Sequence, residues 1–340
     1  MAGPISRLEL SRSQILSHRR RVGSIDERLP GGAKSLQRAA WAGLQDSVPR
    51  AALLSIHARV QRTGSTSWEH PSLVQLWGPR FSDYVVASRD LAIFSLGRLP
   101  EDSRRRARAY DTARRLHECL DGRRLPFGEA GRAMGVAPNS LRYAAPTSTV
   151  LLRWDGARQP VIWTVPAAAM DPGHARLELA RRYLHIFGPA TPASFARWAG
   201  TGRPEARSTF AALADEAIPA ATPIGDAWIL ASDEDRFRSK PVPATGVRFL
   251  PSGDAYYLFW GADRELLVPD AALRAKLWTT RVWPGALLVD GEIAGTWRRS
   301  SSEVSIDLWR RLSSAERDAT EAEGMSLPLG LPNLINVRWS

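Results

Sequence analysis

The sequence predicts an α+β protein in which tandem winged-helix (helix-turn-helix) modules are followed by a small β-rich domain. Three observations carry that prediction. Short helices joined by tight turns recur in the order helix, helix, helix, strand along the first two thirds of the chain, the written form of helix-turn-helix units. Asp155-Gly156 stands between two runs that alternate apolar and polar residues, a strong hairpin signal and the mark of a wing. Past about residue 240 the periodicity changes from helical to strand-like.

The first unit, residues 1–100, opens with a helix over 8–22, with Ser11 and Gln14 at capping-box spacing and Ile15 on the buried side. Gly31 and Gly32 mark a turn, and a second helix over 34–45 is interrupted by Asp46, Ser47, Val48 and Pro49. Pro49 suits the first turn of a third helix, in which Leu53, Ile56 and Val60 share an apolar face. A loop and a short strand around 72–77 follow, then a helix capped by Ser82 or Ser88.

The second unit, 101–170, begins with a basic helix over 101–120 that Gly122 closes. Residues 125–145 read as a helix-turn-helix, with Gly135 in the turn and Asn139 ahead of a recognition helix; the Asp155-Gly156 hairpin completes the unit. The third unit, 171–240, holds helices at 174–188, 189–200 (Thr191 as N-cap before Pro192) and 204–217, then a strand at 227–230. The last unit, 241–340, reads as strands over 248–260, 285–297 and 302–309, with Asp290-Gly291 as a second hairpin turn. Its final Pro-, Gly- and Leu-rich segment is expected to be an irregular tail.

The net charge of +11 and the predominance of arginine point to a polyanionic partner: all but three of the 46 basic residues are arginine, the lysines being Lys34, Lys240 and Lys276. Guanidinium forks match phosphates and guanine edges, although GC-rich coding also enriches arginine. Cys119 is the single cysteine, which excludes an internal disulfide, a four-thiolate cluster and a multi-cysteine zinc site. The six histidines do not cluster, so no metal and no cofactor is expected. Walker A, dinucleotide-binding and HExxH patterns are lacking. Without an apolar run of spanning length or a leader-like start, the expected location is the cytoplasm, at the nucleoid, with no membrane partner.

Four stretches resemble the winged-helix DNA-binding family that includes the AlkZ and YcaQ type of bacterial DNA glycosylase: GLQDSVPRAALLSIHARV (43–60), FGPATPASFARWAG (187–200), FLPSGDAYYL (249–258) and LLVDGEIAGTWRR (287–299). The resemblance spans nearly the whole chain. It implies three tandem winged-helix units and a C-terminal β-barrel around a concave, positively charged channel for double-stranded DNA. It further implies a catalytic Gln–aliphatic–Gln or Gln–aliphatic–Asp motif, which falls on Gln45, Asp46 and Ser47. The first Gln is kept, the middle residue is acidic, and the third is a hydroxyl. The family's tryptophan-x-x-arginine-glycine-threonine segment matches at Trp77 and Arg80, followed here by Phe81 and Ser82.

For an alkylated purine, already a good leaving group, the needed help is modest: stabilising an oxocarbenium-like sugar and orienting a water. Asp46 offers charge or base function, Gln45 a hold on the water, and Ser47 a further polar contact. Three neighbours converge only if a turn precedes Pro49, and the competing reading is that Asp46 and Ser47 end one helix and cap the next. Candidate DNA contacts are Arg50, His57, Arg59, Arg80 and the run Arg104, Arg105 and Arg106. A solvated helix face accounts equally well for the run, and a satisfied or partly buried histidine is the commoner case for His57. Trp163, Trp198 and Trp297 are expected as core anchors. The expected function is monofunctional excision of bulky N7- or N3-alkylated purines by a monomer. The alternative is a non-catalytic winged-helix DNA-binding protein or transcriptional regulator.

Overall fold

A computed structural model describes residues 7–300, 302–330 and 335–339. The chain opens with β1 (Leu8–Glu9) and α1 (Arg12–Val22), whose capping box pairs Ser11 with Gln14 as the spacing predicts. Then come α2 (Ala33–Ala39), β2 (Leu44–Gln45) and α3 (Ala51–Arg59). The second helix is shorter than predicted, because residues 44–45 leave it to pair with β4 (Asp83–Ala87). That strand carries no clear signal in the sequence and itself pairs with β3 (Leu73–Trp77).

After α4 (Leu91–Leu96) the basic helix α5 (Ser103–Leu120) is capped by Asp102, whose carboxylate accepts the Arg105 N–H. Its apolar stripe, Ala109, Ala113, Leu116 and Leu120, is buried, and its arginines face out. β5 (Leu125–Pro126) and α6 (Phe127–Ala133) precede a 3₁₀ segment over Pro138–Thr147, where a regular recognition helix was expected; Pro146, inside it, lacks the N–H a continuous α-helix needs. β6 (Val150–Arg153) and β7 (Val161–Thr164) form the predicted antiparallel hairpin. Together these strands make one six-stranded sheet in the order β2-β4-β3-β6-β7-β5, so residues 44–87 and 125–164 share a sheet.

α7 (Pro172–Phe187), α8 (Pro192–Ala199) and α9 (Arg203–Ala212) carry the largest core, where Tyr183 and Phe187 pack against Phe195 and Trp198. Thr191 caps α8 as predicted. The hairpin of β8 (Ala217–Thr222) and β9 (Gly225–Leu230) takes in β1 as a parallel third strand, placing the chain start beside residue 220. α10 (Glu234–Arg238) follows.

The C-terminal part is a five-stranded sheet, β10 (Val247–Leu250), β11 (Gly285–Val289), β12 (Glu292–Ser300), β13 (Glu303–Leu308) and β14 (Asn336–Trp339), in that order. β10 and β14 are its edges, so the sheet is open and not a closed barrel among the described residues. Helices α11 (Asp263–Leu267), α12 (Ala271–Leu277) and α13 (Ser314–Met325) accompany it. The expected irregular tail ends instead in β14, parallel to β13; residues 331–334 and 340 lie outside the described residues. Trp198 and Trp297 are buried as expected, whereas Trp163 is half-buried beneath the Arg124 guanidinium.

Candidate active site

Strand alternation decides the layout of residues 44–47. Leu44 and Asp46 point inward and are buried, while Gln45 is half-buried and Ser47 exposed on the opposite side. The Gln45 carboxamide donates Nε2–H to Ser47 Oγ at 3.2 Å. These two polar side chains therefore meet, and Asp46 does not join them.

Asp46 is committed below that surface. Its Oδ1 accepts the Ala52 N–H at 2.9 Å, satisfying a free donor in the first turn of α3, and its Oδ2 accepts Gln75 Nε2–H at 2.7 Å. Gln75 in turn accepts the Trp154 N–H at 2.8 Å, so one buried chain of hydrogen bonds links β2, β3 and the start of the 154–160 turn. The helix-capping role weighed from the sequence is the one these hydrogen bonds serve, and the residue is 2 % exposed.

Burial raises the Asp46 carboxyl to about 7, against the two hydrogen bonds that favour the anion. Across the interval from about 4 to about 7 the folded protein retains a proton that the unfolded chain has released. Stability should therefore fall as pH rises through that window, by up to about 1.4 kcal/mol per pH unit, and level off above it. Asp46→Asn is expected to reduce this slope to the part that Asp83, raised by burial to about 6, contributes, and because its amide N–H would face the Gln75 N–H, to lower stability above pH 7 by ~1–3 kcal/mol. Urea unfolding of both proteins across the window measures each effect; parallel profiles would contradict the first.

Three loops meet around Gln45. Gly253, in a left-handed conformation (φ 78°), abuts the carboxamide so closely that a Cβ there would lie 3.0 Å from Gln45 Cδ. Gly156 of the β6–β7 turn (φ 80°) abuts Pro49 in the same way. Arg50 takes a left-handed conformation (φ 68°) before α3, and its guanidinium lies 4.8 Å from the Trp68 ring, which Arg153 also covers at 4.4 Å. Half-buried Arg299 reaches the Pro49 carbonyl at 3.5 Å, and its pKa is lowered by burial and by the nearby charge of Arg50. The result is an amide and a hydroxyl on a stretch that runs directly into Pro49, which Arg299 holds, and Arg50, so that polar groups for a water or sugar oxygen and cations for phosphates lie within a few residues of one another.

The other predicted contacts do not gather here. His57 is buried, its two ring nitrogens bonded to Thr63 Oγ1 (2.8 Å) and Ser326 Oγ (3.1 Å), and burial lowers it to about 4, leaving it neutral. It is the satisfied histidine of the alternative reading. Arg59 is also buried, paired through both Nη atoms with Asp254, which removes it from any DNA-facing surface. Exposed Arg80 sits on the 79–82 turn beside Gly200, its guanidinium 5.1 Å from the Trp260 ring. Arg104, Arg105 and Arg106 are exposed in the first turn of α5. Sequence reasoning missed Gln75 and Arg299. A polar residue on the inward face of the strand SLVQLW was the available signal for Gln75; Arg299 carried none, since only the fold brings β12 to Pro49.

The fold and site together define a mixed α+β, arginine-rich protein with a surface amide set among cationic loops. A family model described as DNA glycosylase AlkZ-like matches residues 39–327, and the chain belongs to this AlkZ-like family. It is similar to the interstrand DNA cross-link repair glycosylase of Streptomyces sahachiroi, 27% identical over 161 residues. The match spans 43% of this chain and 42% of the relative, about two fifths of each. The solved structure of Streptomyces sahachiroi DNA glycosylase AlkZ superposes with a TM-score of 0.75 at 17% identity, covering 98% of this chain and 100% of that one, which shows a shared fold. Among the described residues no helix is long and apolar enough to cross a membrane.

Proposed function

We propose that this protein is a monofunctional DNA glycosylase that hydrolyses the N-glycosidic bond of bulky N7- or N3-alkylated purines in duplex DNA, leaving an abasic site. The observation that carries this reading is the family match across residues 39–327 combined with a surface-facing Gln45 amide at the family's motif position. In this reading Gln45 orients the attacking water and places its carbonyl dipole toward the developing sugar cation, with Ser47 assisting. Asp46 positions both from beneath through α3 and Gln75. Arg50 and Arg299 take phosphates flanking the lesion.

The curated relative is described as repairing interstrand cross-links; we extend that substrate class to this chain. An amide on an open surface suits a tethered or bulky adduct, which need not enter an enclosed pocket. We also read the helical parts (1–100, 101–170 and 171–240) as winged-helix modules, the first two joined by a common sheet, and 241–340 as a β-rich domain with an open sheet, acting as a monomer in the cytoplasm. The test is incubation of purified protein with duplexes bearing defined N7-alkylguanine adducts and chromatography of released base. DNA binding without release would favour the non-catalytic alternative.

The exposed arginines of α5 should contribute affinity without sequence preference. Arg114 is engaged by Asp111 and Glu118, whereas Arg104 and Arg105 make no ion pair among the described residues and Arg106 donates to the Pro100 carbonyl. Replacing Arg104, Arg105 and Arg106 by Ala is expected to weaken duplex binding and reduce the slope of log affinity against log salt by ~0.9 for each phosphate that is no longer neutralised. An unchanged slope in a salt titration would place the DNA elsewhere.

A further inference from the structure

Away from Gln45, a cavity of about 180 Å³ lies where α1, α2 and α10 come together, lined by His18, Arg21, Val22, Arg38 and Arg236. Three guanidinium groups from three separate elements line it, and no carboxylate does. The nearest acid, Asp233, is already engaged: its Oδ1 accepts from Arg236 at 2.8 Å and its Oδ2 is 2.7 Å from His185 Nδ1. Arg21 has no ion-pair partner among the described residues, and Arg38 lies against the Trp41 ring at 4.8 Å. The Arg38 pKa is lowered by burial and then by the charge of Arg236, with Asp233 acting in the opposite sense, so three guanidinium charges share this space with one carboxylate that Arg236 already holds. The positive charge left over on Arg21 and Arg38 favours a further anion beside them.

His18 lines the same space as a neutral ring. It is 2 % exposed and stacked on Phe237, and its Nε2 donates to the His185 carbonyl at 2.9 Å. That bond places the ring proton on Nε2, and Nδ1 is buried without a partner. Burial lowers His18 to about 4, so the ring stays neutral, Nδ1 is an acceptor, and the donors to an anion here are the arginines.

We propose that the α1–α2–α10 cavity, through Arg21, Arg38 and Arg236, is a binding site for a phosphate group. A tetrahedral oxyanion offers acceptors in three directions at once, as guanidinium groups arriving from three elements require, whereas a planar carboxylate matches one fork. The cavity, about 180 Å³, has room for a phosphate with part of its hydration shell. The phosphate comes either from a DNA backbone tracking across this face or from a free phosphorylated small molecule. The site does not depend on base release, because its readout is binding.

The test uses the full chain and its R21Q/R38Q variant, which leaves Arg236 on Asp233, with R21K/R38K as the charge-retaining control. The melting temperature is followed against inorganic phosphate at constant ionic strength, with chloride as reference, and duplex affinity against salt. The expected result is a rise of a few degrees with phosphate in the parent, partly kept in R21K/R38K and lost in R21Q/R38Q. If a backbone phosphate is the occupant, the salt slope of duplex binding also falls by ~0.9 in R21Q/R38Q; if the source is a free phosphate, that slope is unchanged. An equal phosphate response in parent and R21Q/R38Q, with equal salt slopes, would overturn the site. The melting temperature in chloride reports folding, and single R21Q, at an exposed position, repeats the comparison should the double variant unfold.

Discussion

Gln45→Ala is expected to lower the single-turnover rate of base release by ~10²- to 10⁴-fold with little change in duplex affinity, the cost of removing one pre-positioned polar group from a hydrolytic site. The reason lies in the alternation around β2. Gln45 is the residue of the Gln45-Asp46-Ser47 stretch whose amide reaches the surface between Gly253 and Ser47. Ser47→Ala should cost less, because the hydroxyl only partners the amide. Asp46→Asn should lower stability more than rate, since its carboxylate braces α3 and Gln75 from the buried side. Full excision by Gln45→Ala would sink this assignment even if the protein remained a glycosylase. Near-abolition by Asp46→Asn in a fully folded protein would return the chemistry to the carboxylate.

The second large effect concerns stability. Asp254 accepts two parallel bonds from Arg59 at 2.7 Å each, a third from Ser55 Oγ at 2.6 Å and a fourth from the Tyr256 N–H at 2.9 Å. The paired side chains are 4% and 0% exposed. Removing either partner strands a charge in the interior, so Asp254→Ala or Arg59→Ala is expected to cost ~3–5 kcal/mol in denaturant unfolding. Arg59→Lys should recover only part, because an ammonium cannot make the two parallel bonds. Replacing both at once, Arg59→Met with Asp254→Leu, should cost much less than the sum of the single changes. Because the pair ties α3 to the turn carrying Gly253, which abuts Gln45, the single variants should also lose activity at temperatures where they remain folded. Additive effects in the double variant would show that the two charges do not act as a unit.

Much of the local structure was legible in the sequence because local forces write it there. The Ser11–Gln14 box, the Thr191 cap, the Asp155-Gly156 and Asp290-Gly291 turns and the strand at 227–230 depend on residues a few positions apart, and each stands where the pattern put it. Arginine richness pointed to a polyanion, and the motif stretches to a family, from residue identity alone. What the sequence left open was set by pairing between distant segments. β4 was invisible because Asp83–Ala87 is a short run whose role as a sheet centre follows from its partners β2 and β3. The same pairing cut α2 short and gave residues 44–47 a strand's two-residue period, which sends Gln45 and Ser47 one way and Asp46 the other. Arg59 and His57 looked like DNA contacts because a sequence shows charge and polarity but not the facing group; Asp254, Thr63 and Ser326 claim them in the fold. Residue types and local turns thus came from the sequence by itself, while the choice of which polar side chains remain free for a ligand was made only by tertiary packing, because burial and long-range partners determine whether a charge is satisfied within the protein or left to bind outside it.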